Sequence, residues 1–138
     1  MAILKILFLI LMITCSTMPK AEIAIIVNPS NNSDISESEI PRIFLGKITN
    51  FPGGALAVPL IQDENTAAAT EFNTNVLKKS PSQLKAYWSK LLFTGQGTPP
   101  KEVTSDDDVV NLVSTNPNII GYIDSSKVTS AVKVIAKY

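Results

Sequence analysis

Residues 22–31 read EIAIIVNPSN. Five apolar residues in succession, Ile23 to Val27, stop at Asn28-Pro29, a pair that ends a strand. A strand with one wet face alternates apolar and polar side chains, and this one does not. Its unbroken run predicts burial on both faces, the place of a strand in a sheet covered by helices on each side.

The segment just upstream has a different character. It carries one lysine near its start, Lys5, then an uninterrupted apolar run over residues 6–13, then small and polar residues up to Ala21. A short basic start, an apolar core and a small residue at the join describe a secretory signal peptide over residues 1–21. The run is shorter than the roughly 20 residues a membrane-spanning helix needs. A lipoprotein would be cut before Cys15, but Met12-Ile13-Thr14 lacks the small residue expected ahead of a lipidated cysteine. The expectation is therefore one domain over residues 22–138, periplasmic or secreted, with no membrane insertion after cleavage.

Removing Lys5 and Lys20 with the leader leaves ten basic residues against twelve acidic, a net charge of −2. That gives no basic footprint for nucleic acid. The one cysteine lies in the leader and histidine is absent, so thiolate chemistry and the commonest general base and metal ligand are missing. No nucleophile elbow, P-loop or dinucleotide fingerprint occurs. Composition points away from an enzyme, a cofactor or a metal.

Downstream of the opening strand, residues 32–46 (NSDISESEIPRIFLG) predict a helix. Ser36 and Glu39 have capping-box spacing, and Ile40, Ile43 and Phe44 fall on one face. Pro41 tolerates the third helical position but not a deeper one, which sets the start at Ser38. Gly46 is the expected C-cap. Residues 55–61 (ALAVPLI) predict a second strand, with Pro59 arguing for an edge or an early end. Residues 63–79 predict a helix capped by Asp63 or Asn65. Ser80-Pro81-Ser82-Gln83 opens another, with Leu84, Tyr87, Trp88, Leu91 and Leu92 along one side, a pattern read as core packing. Residues 95–103 (GQGTPPKEV) have turn composition. Ser105 caps a helix over 104–118, and strands follow at 119–123 and 131–138. Helices interleaved with apolar strands define an α/β three-layer sandwich with a mostly parallel central sheet.

Two clusters invite chemistry. Asp106-Asp107-Asp108 resembles a metal set, but consecutive helical residues point about 100° apart and cannot converge on one ion. Acidic residues in a first helical turn stabilise it through the dipole alone. The start of the 63–79 helix, around Asn65-Thr66-Ala67, is the stretch most compatible with binding, because free N–H groups and a positive dipole end suit an anion. Arg42, the only arginine, is read as a solvated helix-face residue.

Three phrases carry a family resemblance: IFLGKITNF (43–51), VPLIQDENTAAATEF (58–72) and NPNIIGYID (116–124). They resemble the second lobe of periplasmic phosphate-binding proteins of the type II solute-binding class. There a helix ends in Ile-Phe-Leu-Gly-Lys-Ile-Thr-Asn-Trp, so Phe51 stands where the family has tryptophan. Residues 82–100 resemble small one-lobe relatives often labelled phosphate transporter substrate-binding proteins. The resemblance covers residues 22–126 and implies one lobe of a type II periplasmic binding protein.

It also implies a ligand loop. The family's Arg-Ser-Asp-Gly-Ser-Gly-Thr-Thr, laid without gaps on residues 61–68, puts its arginine on Ile61, its serines on Gln62 and Asn65, its aspartate on Asp63, its second glycine on Thr66 and its first threonine on Ala67. Only Asp63 is identical, and the guanidinium is lost. The ligand-binding residues implied are Gln62, Asp63, Asn65, Thr66 and Ala67. The function expected is a secreted single-lobe solute-binding-like protein, taking phosphate or another small oxyanion in connection with phosphate transport. The alternative is a protein-interaction or self-associating module that has lost the family's ligand site.

Overall fold

The structure, a computed structural model, describes residues 21–138; the expected signal peptide lies, except for Ala21, outside the described residues. β1 (Ile23–Val27) is buried along its whole length. Ile23, Ile25 and Val27 join one apolar cluster, while Ala24 and Ile26 join the other. An unbroken apolar strand is thus one that serves two cores.

The sheet adds β2 (Val58–Gln62), β3 (Lys101–Val103), β4 (Ile119–Asp124) and β5 (Lys133–Lys137), in the order β3-β2-β4-β1-β5. β2 runs parallel to β3 and β4, and β1 runs antiparallel to β4 and β5. Four of the five strands therefore share a direction and β1 alone opposes them. One face carries α1 (Glu39–Phe44), α2 (Ala67–Phe72), which continues as a π-helical turn over Asn73–Leu77, and α3 (Pro81–Phe93). The other carries α4 (Asp106–Thr115) through Val109 and Val113. This is the three-layer α/β sandwich with a largely co-directional sheet.

Several local devices match the sequence. Ser38 is the N-cap position of α1, which places Pro41 third in the helix. At its other end Gly46 sits at φ +71°, its N–H bonds Ile43 O and the N–H of Lys47 bonds Arg42 O. Those two bonds form a Schellman motif, and the left-handed residue between them suits glycine. The pairing of Ser36 with Glu39 is only half a capping box: Glu39 accepts from both the N–H and the hydroxyl of Ser36, so the serine donates where a cap would accept.

Other expectations need correction. Residues 101–103 form strand β3, not loop; a polar three-residue strand has no sequence period and exists through its pairing with Leu60, Ile61 and Gln62. β2 is interior, so Pro59 does not mark an edge strand. The N–H groups of Val58 and Asp63 point to opposite neighbours, Asn118 and Val103. By that alternation the missing N–H of Pro59 faces the β3 side, one residue before pairing with β3 begins at Leu60. Finally, the Leu84–Leu92 stripe is core only in part: Leu84 and Tyr87 pack half-buried against the apolar cluster, Leu92 is exposed, and no residue of α3 is fully buried.

Candidate functional site

The loop Asp63–Thr66 connects the C-terminal end of β2 to α2. Ligands of open α/β sheets bind outside the carboxyl ends of the strands, so the fold delivers this loop to a suitable edge. Its conformation is set by its own side chains. The Asp63 carboxylate accepts from Asn65 N–H at 2.8 Å. The carbonyl of Asp63 accepts from both the N–H and the hydroxyl of Thr66, at 3.0 and 2.9 Å. Thr66 Oγ1 in turn accepts from Ala69 N–H at 3.1 Å, as the N-cap of α2.

These bonds sort the expected ligand residues. The hydroxyl of Thr66 both donates and accepts within the cap, so the turn already uses it. Gln62 is buried, and both hydrogens of its amide are engaged, with Asp106 Oδ1 at 2.6 Å and the carbonyl of Tyr122 at 3.0 Å. What remains is the exposed Asn65 side chain, one Asp63 oxygen and the backbone of the first helical turn. Among the described residues nothing accepts from the N–H of Ala67 or Ala68. Two carboxylates, Asp63 and Glu64, stand beside these donors.

Asp106 and Asp108 turn to different partners. Asp106 binds Gln62, Asp108 accepts from Thr104 at 2.9 Å, and Ser105 caps α4 through Asp108 N–H. Behind the loop, the Tyr122 ring stacks on Phe72 at 3.8 Å with 7° between planes, and Phe44 meets Phe72 edge-on at 4.7 Å. Tyr122 Oη accepts from Gln62 N–H at 2.9 Å, and burial pushes the phenol well above its ordinary value. These aromatic contacts hold β4 and α2 together beneath the loop.

Two grooves lie away from the Asn65–Ala67 turn. A groove of about 520 Å³ runs between α3 and the sheet, reaching Gln62 and Glu64 at one end. A second, of about 370 Å³, lies on the other side of Trp88. Trp88, Phe44, Pro99 and Pro100 line both. Asn65, Thr66 and Ala67 line neither. The grooves went unforeseen because the α3 stripe has the same spacing as a core-facing helix. The aromatic pair Tyr87-Trp88, followed by Pro99-Pro100, was the available signal.

No protein-family model matches the chain, and no curated protein does. Among solved structures, the chain is similar to an ABC-type phosphate transport receptor from Vibrio cholerae, at 19% identity and a TM-score of 0.65, covering 83% of this chain and 46% of that one. It is also similar to a protein from Clostridium perfringens described as a phosphate ABC transporter substrate-binding protein, with phosphate bound, at 21% identity and a TM-score of 0.64, covering 83% and 45%. PstS from Borrelia burgdorferi is a third, at 17% identity and a TM-score of 0.60, covering 84% and 47%. The fold is thus that of a phosphate-binding-like protein, and the chain spans less than half the length of these relatives, in keeping with a single lobe. No helix among the described residues is long and apolar enough to cross a membrane.

Proposed function

We propose that the chain is a single-lobe solute-binding-like module, not an enzyme, that holds a small oxyanion at the start of α2, phosphate before others. The observation that carries this reading is the pair of unclaimed N–H groups, Ala67 and Ala68, at the carboxyl end of β2 beside the free side chain of Asn65. The free oxygen of Asp63 favours an oxyanion that still carries a proton, as phosphate does near neutral pH and sulfate does not. The fold shared with phosphate-binding proteins, one of them holding phosphate, supports the same ligand class. A single lobe leaves the anion partly hydrated, so the affinity of this chain is modest. Calorimetric titration with phosphate and then sulfate tests the reading. Phosphate heat that sulfate does not reproduce is the expected result, and no heat with either anion rules the site out.

The alternative, a protein-interaction or self-associating module, is favoured by a different observation. α3 buries none of its thirteen residues, and apolar grooves flank it on both sides.

A further inference from the structure

We propose that α3 is the contact helix of a symmetric dimer in which each copy inserts Phe93 into the groove of the other; this rests on the interaction reading and names its partner as a second copy of the chain. Phe93 is 93% exposed, at the last position of a helix whose neighbouring Leu92 is also half exposed. An aromatic ring this exposed is a large apolar surface without a cover. It belongs to the stripe that borders the larger groove. Ser82, Lys85 and Ser89 line that groove, and Phe93 follows Ser89 by one helical turn.

Knob and hole therefore lie along one helix, which is what a two-fold contact requires: residue i meets residue j, and j meets i. A two-fold axis on the exposed side of α3, level with its midpoint at position 87, sets the helices antiparallel and carries position 93 onto position 81. Pro81 is a wall of the groove. The ring of each copy thus meets the open N-terminal half of the other's groove, which is bounded further in by Trp88 and Pro99.

Charge agrees. α3 carries Lys85 and Lys90 and no acidic residue, while the facing wall of the groove supplies Glu64 and Glu102. Laying the lysines of one copy over that wall of the other is favourable. α3 is about 20 Å long, so the contact belongs to the small class of interfaces, below about 1,200 Å² in total. Contacts that small are commonly weak, and association in the micromolar range is the expected result.

Trp88 is the only tryptophan and lines both grooves, so it reports on their occupancy. The experiment is sedimentation velocity on the purified protein over a concentration series from about 1 to 500 micromolar, with Trp88 emission read on the same samples. The expected result is a mass that rises from monomer to dimer with a parallel blue shift of Trp88. Phe93→Glu should weaken association at least tenfold and hold the emission at its dilute value. Circular dichroism of that variant should be unchanged, because Phe93 packs on nothing. A monomer throughout the series overturns the proposal, and so does a dimer that survives Phe93→Glu. Occupation of α3 by a different protein overturns it too, while leaving an interaction role in place.

Discussion

Gln62 and Tyr122 bind each other reciprocally: the backbone N–H of Gln62 donates to the phenolic oxygen of Tyr122, and the side-chain amide of Gln62 donates to the backbone carbonyl of Tyr122. The β2–β4 ladder covers only Val58–Pro59 against Ile119–Ile120, so past Pro59 side chains take over its work. Tyr122→Phe would leave a buried N–H without an acceptor, a loss of about 1–3 kcal/mol. The same phenol sets an alkaline limit. Burial raises its folded-state pKa above the ordinary value of 10.0. Its contribution is therefore complete below pH 10 and is lost as pH rises above it. Tyr138, raised by burial and then by Glu37, acts in the same direction. Urea melts of both proteins across neutral and alkaline pH should show wild type more stable at pH 7 and the gap narrowing above pH 10. A gap constant with pH would contradict the buried-phenol account.

Gly121 sits in β4 under α4, where an added Cβ would come within 2.5 Å of Val109 Cγ1 and 3.6 Å of Val113 Cγ2. Glycine is required here by close approach. Gly121→Ala should cost about 1–3 kcal/mol by overpacking. Val109→Ala alone should also destabilise, through lost packing, but the double variant should lose less than the two together because the deleted methyls make room for the new one. Strictly additive losses in chemical denaturation would show that the helix shifts instead of clashing.

How far the sequence exposes this molecule depends on whether a residue's job is local. β1, the Schellman turn at Gly46 and the caps at Ser80 and Ser105 are legible because their signals lie within a few residues of the structure they make. β3 is not, since Lys101-Glu102-Val103 becomes a strand only beside β2. The π turn at Asn73–Leu77 hides inside a continuous helical pattern for the same reason. Around the candidate site the stretch Asn65–Ala67 does open α2, but Thr66 caps it and not Asp63 or Asn65, and the commitment of Gln62 to Asp106 and Tyr122 depends on partners 44 and 60 residues away. Nor could spacing show that the apolar stripe of α3 borders grooves.

Ala67 offers a test of the oxyanion site that removes one atom group and little else. It is the first residue of α2, where proline fits without breaking a helix. Thr66 before it has φ −80° and ψ 148°, the extended conformation proline demands of its predecessor. Ala67→Pro therefore deletes an unclaimed N–H while keeping the turn. It should leave thermal stability within about 0.5 kcal/mol, as surface changes do, and weaken phosphate binding roughly tenfold, the loss of one charge-assisted hydrogen bond. Unchanged affinity in a folded variant would move the ligand elsewhere.

α3 hangs on its cap more than on its packing. Ser80 Oγ accepts from Gln83 N–H at 3.2 Å and Ser80 N–H donates to Gln83 Oε1 at 2.8 Å, a complete capping box. Against the body α3 has the bond from the Tyr87 hydroxyl to Leu45 O at 2.6 Å and the half-buried flanks of Leu84 and Tyr87. Losing the cap in Ser80→Ala should cost about 1 kcal/mol. Because so little of the helix is buried, that cost should fall on local opening and leave global unfolding nearly unchanged. Hydrogen exchange should show α3 amides opening roughly fivefold more often, with β1 and β4 protected as before. Self-association through α3 would add protection at high protein concentration and mask part of the change. The effect of Ser80→Ala on exchange is therefore expected to be largest in dilute samples. An equal loss of protection in α3 and in the central strands would instead mean that the helix and the sheet unfold as one unit.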